Sequence, residues 1–219
     1  MEHPGPLTED SRLGNPENRP SPVPPQIPDH RLLRCIGRGS YGEVWLARHA
    51  MGMHRAIKVV RRQSFEQNRP FERELSGIRS FEPISRSHEG FVDILHVGLD
   101  EQEGFCYYIM ELGDDQDSGQ NIDPNAYNPK TLASEIKRHG RLSSSDCLNL
   151  GLKLSSALAE LHEHGLVHRD VKPSNIIFVN GAPKLADIGL VAAIHEARSY
   201  VGTEGFIPPE GPGTPQADI

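Results

Sequence analysis

Cysteine is scarce and scattered: the chain has 3 cysteines, Cys35, Cys106 and Cys147, with no paired spacing among them. That pattern suits neither a disulfide framework nor a zinc site, and reduced thiols of a cytoplasmic protein are the plain reading. No basic-then-apolar leader opens the chain. Nowhere does a run approach the roughly 18 to 20 apolar residues that cross a bilayer. Positive charge is not in excess either, since 23 Lys and Arg stand against 30 Asp and Glu for a net charge of -7. A surface that follows phosphate backbones needs the opposite balance, so nucleic acid is not an expected partner. What is present is a chain of 219 residues, 36% hydrophobic, long enough for one sizeable domain or two small lobes. The expected location is cytoplasmic, unless a membrane anchor follows residue 219.

Residues 1–30 carry Pro4, Pro6, Pro16, Pro20, Pro22, Pro24, Pro25 and Pro28 among polar residues. Such a segment cannot bury enough apolar surface to offset its ordering entropy, and it reads as a disordered arm with polyproline character. A proline-recognising partner is the binding role that composition suits, beside the plainer reading of an unstructured leader. From Leu32 the pattern changes. Leu32–Ile36, Glu43–Ala47 and Ala56–Val60 predict three short antiparallel strands. In Pro70–Phe81 the residues Phe71, Leu75 and Ile78 recur at helical spacing. Phe91–Leu99 and Phe105–Leu112 predict two more strands around Gly104. The stretch Gly113–Pro129 is acidic and without period, and is expected to be an exposed connector. Lys130–His139 and Ser143–His164 predict helices, the second with Leu148, Leu152, Leu154, Leu158 and Leu161 as an apolar stripe closed by Gly165. Short apolar runs follow at Leu166–Val167, Ile176–Val179 and Lys184–Ala186, with an Asn180-Gly181 turn. The expected architecture is α+β: a five-stranded antiparallel lobe with one helix over residues 31–112, then a helical lobe over 113–219.

Gly37, Gly39 and Gly42 form a GxGxxGxV stretch with Val44. Alone this is a weak signal, because dinucleotide-binding folds open the same way. Those folds require a helix after the glycines and an acid about 20 residues on. Here a strand follows, and Lys58 stands where the acid belongs. Glycines in a hairpin turn let backbone N–H groups approach phosphate oxygens, and a nearby lysine adds positive charge. His168-Arg169-Asp170-Val171-Lys172-Pro173-Ser174-Asn175 is more specific, packing a carboxylate, an ammonium and a carboxamide into one short loop. Asp187-Ile188-Gly189 and Gly202–Glu210, ending in Pro209-Glu210, come next.

Taken in order, these pieces resemble the signature set of eukaryotic-like (Hanks-type) serine/threonine protein kinases, over residues 32–219. The resemblance implies a bilobal fold and transfer of the ATP γ-phosphate to Ser or Thr hydroxyls of protein substrates. Gly37, Gly39 and Gly42 would cover the ATP phosphates, with Ile36, Val44 and Ala56 around the base and main-chain groups of Glu111 and Gly113 hydrogen-bonded to adenine. Lys58 would pair with the α- and β-phosphates and be held by a helix carboxylate. Both Glu72 and Glu74 are available for that, and Glu74 is preferred because Ile78 then lies one helical turn later. Asp170 would orient the substrate hydroxyl and accept its proton, Lys172 would place charge on the transferring group, and Asn175 and Asp187 would ligate Mg²⁺. Asp117 would reach the ribose, or the set Asp114, Asp115 and Asp117 would attract basic substrates.

Ile188 replaces the usual Phe, and Pro208 stands where alanine is commoner. Arg169 before Asp170 implies pairing with a phosphorylated segment, for which Ser199 is the candidate, with Thr203 contacting the catalytic aspartate instead. Asp218 resembles the aspartate that opens a long buried helix and anchors the catalytic loop. The large lobe is therefore expected to be incomplete, and a weakly active or inactive ATP-binding regulatory module is the alternative reading. The compact motif style resembles bacterial signalling kinases.

Overall fold

The computed structural model describes residues 24–39, 42–64, 68–194, 202–209, 211 and 213–219. Most of the expected arm, Ser40 and Tyr41 of the glycine turn, Ser199, Tyr200 and Glu210 lie outside them. Strands β1 (His30–Gly39), β2 (Gly42–His49), β3 (His54–Arg61), β4 (Ile94–Asp100) and β5 (Phe105–Met110) form one antiparallel sheet in the order β1-β2-β3-β5-β4. Successive side chains along a strand face opposite sides, so the sheet sorts its residues by alternation. Ile57, Val59, Tyr107 and Ile109 form an outer cluster with Trp45 and Ala47. Ile27 is buried in that same cluster, so ordered packing begins before residue 31, inside the stretch expected to be arm.

The inner side of the sheet faces helix α1 (Asn68–Ser85), which runs a full turn past the expected end and contains Pro83. Its Phe71, Ile78 and Phe81 are buried, each contributing about 1.5–3 kcal/mol by leaving water. Phe81 meets Phe91 edge to face at 5.1 Å between centroids. Phe91 itself is not in β4 as the apolar run suggested. It makes a single parallel bridge to Leu185, which ties the small lobe to the large one.

Helix α2 (Leu132–His139) starts on a reciprocal cap between Thr131 and Ser134, and α3 (Ser144–Glu163) starts on Ser143, whose hydroxyl accepts the Asp146 N–H at 3.1 Å. Gly165, at φ 74, turns the chain out of α3. Two short pairs follow: β6 (Leu166–Val167) with β9 (Ala192–Ala193), and β7 (Ile176–Val179) with β8 (Ala182–Leu185). Ala157, Leu158 and Leu161 of α3 enter the main core, but Leu148 and Leu152 are exposed. The leucine stripe is thus two faces, and only one of them packs against described residues.

The connector is aperiodic and largely exposed, as expected, with three buried side chains as exceptions. Asp114, Asp115 and Tyr127 are buried, because the carboxylates serve the backbone rather than solvent. Asp115 accepts the N–H groups of Asp117 and Ser118 at 2.9 Å and of Asn128 at 2.7 Å. These polar partners do for the segment what apolar periodicity does elsewhere.

Candidate active site

Register across the sheet sets the first half of the site. Gly37 pairs with Val44, Val44 with Lys58, and Lys58 with Tyr108, one rung from the glycine turn through the lysine to β5. Gly42 takes φ 147, and a Cβ there would meet the Val59 carbonyl at 2.4 Å, so the turn needs glycine at that point. Below this rung α1 presents Glu74, buried, while Glu72 is exposed. Lys58 Nζ lies 3.2 Å from Glu74 Oε1 and donates a hydrogen bond to Asp187 Oδ1 at 2.9 Å.

Two carboxylates therefore share one buried ammonium. Burial opposes the charge on Lys58, but the surrounding Tyr108, Asp187 and Glu74 outweigh it and hold its pKa well above the ordinary value. Burial raises the Glu74 carboxyl to about 7 against the pull of Lys58. Asp187 is held below its ordinary value, since Lys58 overcomes the desolvation that would raise it. Its side chain is 46% exposed, so the carboxylate also faces the open cleft. Neither Glu74 oxygen has a hydrogen-bond partner among the described residues.

Gly189 is what lets this cluster close. A Cβ there would lie 2.6 Å from Lys58 Nζ and 3.0 Å from Glu74 Oε1. A Gly189→Ala variant is therefore expected to push Lys58 away from its carboxylates and lower stability by about 1–3 kcal/mol, the range for overpacking a filled site. A chemical-denaturation midpoint matching the parent's would refute it. Ile188 beside it is buried in the core with Ile78, so the apolar plug is retained without a ring.

The second half of the site is the loop after β6. Asp170 is fixed from several sides. Asn175 Nδ2 donates to its main-chain oxygen at 2.9 Å and to Oδ2 at 2.8 Å, Lys172 Nζ donates to Oδ2 at 2.8 Å, and Thr203 Oγ1 donates to Oδ1 at 2.7 Å. Lys172 also reaches Thr203 Oγ1 at 2.5 Å. Both of these Asn175 bonds are made by its amide nitrogen. His168 is fully buried, which lowers its pKa, and its Nδ1 accepts the Asp170 N–H while Nε2 lies 3.2 Å from the Ala186 carbonyl. Beneath the loop, Asp218 accepts the N–H groups of His168 and Arg169 at 2.7 Å each, and His162 Nε2 lies 2.9 Å from the same carboxylate.

In the linker after β5, the Glu111 side chain turns away to Lys184 at 2.5 Å and to the Asp93 N–H at 2.9 Å. Val44 is half-buried and Ala56 buried on the cleft side of the sheet. Asp117 does not join the site: it is ion-paired with Arg138 at 2.8 Å and largely exposed, which does not support a ribose contact. Asp114 and Asp115 are likewise occupied by backbone N–H groups and offer no acidic docking surface.

Three contributors escaped the sequence reading. Tyr108 is fully buried with its ring 5.7 Å from Lys58 Nζ and its hydroxyl unpartnered among the described residues. Cys106 lies buried one alternation away, and burial raises its thiol to about 12. Alternation along β5, counted back from Met110, points to both. His162 had no signal beyond its place near the end of α3.

Similarity to known proteins follows this geometry. The family model described as protein kinase domain matches residues 30–215. The serine/threonine-protein kinase PknA of Mycobacterium tuberculosis is 31% identical over 191 residues, covering 83% of this chain and 41% of that protein. PrkC of Bacillus subtilis, a serine/threonine-protein kinase, is 29% identical over 204 residues, covering 87% of this chain and 28% of that protein. PknA of Corynebacterium glutamicum is 29% identical over 190 residues, covering 83% and 38% respectively. The chain thus spans well under half the length of these bacterial relatives. On the family match and the constellation beneath it, the chain belongs to the protein kinase domain family.

Proposed function

We propose that the chain transfers the γ-phosphate of ATP to Ser or Thr hydroxyls of protein substrates. The observation that carries this is the pairing of Lys58 with Glu74 and Asp187 on one side of the cleft, and of Asp170 with Asn175, Lys172 and Thr203 on the other. Gly37, Gly39 and Gly42 cover the phosphates with backbone N–H groups. Ile36, Val44 and Ala56 enclose the base, and main-chain groups of Glu111 and Gly113 hold its edge. Lys58, kept in place by Glu74, takes the α- and β-phosphate oxygens.

Asn175 and Asp187 offer a neutral and a charged oxygen, the hard donor set that suits Mg²⁺ completed by phosphate and water. When bound, that ion neutralises charge building on the phosphate oxygens. Asp170 accepts a hydrogen bond from the substrate hydroxyl and takes its proton as the oxygen bonds to phosphorus and the bond to the β-phosphate oxygen breaks. Lys172, already on Asp170 and Thr203, places a positive charge on the group in transit. Cytoplasmic location and a proline-recognising partner for the arm are consistent with the sequence and rest on it alone. No helix among the described residues is long and apolar enough to cross a membrane.

The test is phosphotransfer from radiolabelled ATP to a peptide library containing a single Ser or Thr, with mant-ATP binding measured alongside. Asp170→Asn is expected to lower turnover about 10²–10⁴-fold, the usual worth of a positioned acid–base group, and to leave mant-ATP affinity unchanged. Turnover equal to the parent's, or label found only on tyrosine, would overturn the reading. Nucleotide binding with no transfer by the parent would instead favour a regulatory ATP-binding module.

A further inference from the structure

We propose that Arg34 and Tyr127 are positioning residues that hold segment 114–130 as a strap across the mouth of the cleft, setting how tightly nucleotide is retained. This rests on the nucleotide-binding reading above. The segment is closed on itself: Gln116 donates its N–H to the Asn128 carbonyl at 2.8 Å, Lys130 donates to the Asp114 carbonyl at 2.8 Å, and Asp115 gathers N–H groups from both arms. A loop so constrained transmits a pull instead of absorbing it.

Three bodies are fastened to it. The first is β1, whose Arg34 donates from Nε to the Pro124 carbonyl at 3.3 Å and from its terminal nitrogen to the Tyr127 carbonyl. Arg34 pairs with Leu46 of β2, two residues ahead of the irregularity between Cys35 and Gly37 that leads into the glycine turn. The second is the linker, where the Tyr127 hydroxyl donates to the Gly113 carbonyl at 3.1 Å. Tyr127 is 1% exposed, so this bond is made away from water, and a Cβ on Gly113 would lie 3.7 Å from the hydroxyl. The third is the β7–β8 turn, where Asp114 accepts the N–H groups of Asn180 at 3.0 Å and Gly181 at 2.7 Å.

Opening the cleft moves β1 away from the linker. Arg34 spans that gap, so widening it breaks a guanidinium's bonds to two carbonyls. Tyr127 holds the other end by fixing the Gly113 peptide whose neighbouring groups meet the base. The strap therefore opposes nucleotide release without touching the phosphates or the reacting hydroxyl.

Stopped-flow release of mant-ADP from the full chain tests this, together with KM and kcat for phosphotransfer. Arg34→Ala and Tyr127→Phe are each expected to speed release about tenfold, the worth of one or two lost hydrogen bonds, and to raise KM for ATP without lowering kcat. Arg34→Lys, which keeps one charged donor, is expected to recover part of the slow release. Release at the parent's rate in both variants, or a loss of thermal stability with release unchanged, would overturn the proposal. Failure of the parent itself to bind mant-ADP would overturn the nucleotide reading and the strap with it.

Discussion

Replacing Asp218 with alanine is expected to lower folding stability by about 3 kcal/mol or more. The carboxylate accepts two buried backbone N–H groups at 2.7 Å and faces His162 at 2.9 Å. Hydrogen bonds to a charged group are worth about 1.5–3 kcal/mol each, and a buried donor left without a partner adds its own cost. The backbone it holds is also unusual. Arg169 sits at φ 72, a left-handed conformation that costs a non-glycine residue about 1–3 kcal/mol and persists only when its surroundings impose it. With Asp218 gone, the loop carrying Asp170 is free to relax, and turnover falls together with stability. Asp218→Asn keeps one acceptor oxygen and is expected to lose roughly half as much. A urea midpoint for Asp218→Ala within about 0.5 kcal/mol of the parent, at unchanged slope, would contradict this account.

Lys58→Met is expected to be as damaging, with a sign in pH that identifies the cause. Removing one partner from a buried ion cluster commonly costs about 3–5 kcal/mol, because the remaining charge is left without compensation. In the parent, Glu74 is already raised to about 7 from its ordinary 4.5. Between those values the folded chain holds a proton that the unfolded chain has released. That contribution to stability is therefore complete below about pH 4.5 and is lost as pH rises through about 7. Without Lys58 the only strong pull downward on Glu74 disappears, so the window moves up. The Lys58→Met penalty should then be larger at pH 8 than at pH 6, where Glu74 accepts a proton and becomes neutral. Introducing Glu74→Gln beside it should flatten the difference. A penalty equal at both pH values would show that lost packing, not an uncompensated carboxylate, explains the damage.

Much of the chemistry is legible in the sequence, because phosphate-facing turns and acid–base loops demand residue types that core packing does not. Lys58, Asp170, Asn175 and Asp187 stand out in the sequence by residue type and order, and the structure pairs Val44 with Lys58 across β2 and β3. Helix periodicity favours Glu74 over Glu72, and the structure buries Glu74 between Phe71 and Ile78, 3.2 Å from Lys58, while Glu72 is exposed. The connector has no helix or strand and is largely exposed, as its composition implies, but Asp114 and Asp115 are buried; carboxylates that bind their own backbone look, as a string of letters, like carboxylates bound for water. Asp115 is held at about 2, where four hydrogen bonds outweigh the burial that would raise it. Leu148 and Leu152 were misjudged for the opposite reason, since a leucine's spacing shows which helix side it is on but not whether anything packs there.

Pairing along β3 stores the chemistry as parity. Even-numbered Ala56, Lys58 and Val60 belong to the cleft side, and odd-numbered Ile57 and Val59 to the outer cluster. Because the side-chain period of a strand is 2, a single residue gained or lost between the β2 turn and Lys58 would exchange the two sets. Such a chain would keep nearly the same composition, the same motifs in the same order and the same count of strands. It would turn a β-branched side chain toward Glu74 and Asp187 and a lysine into the apolar layer around Trp45, so whole-residue slips in this strand are forbidden where substitutions of similar size are tolerated.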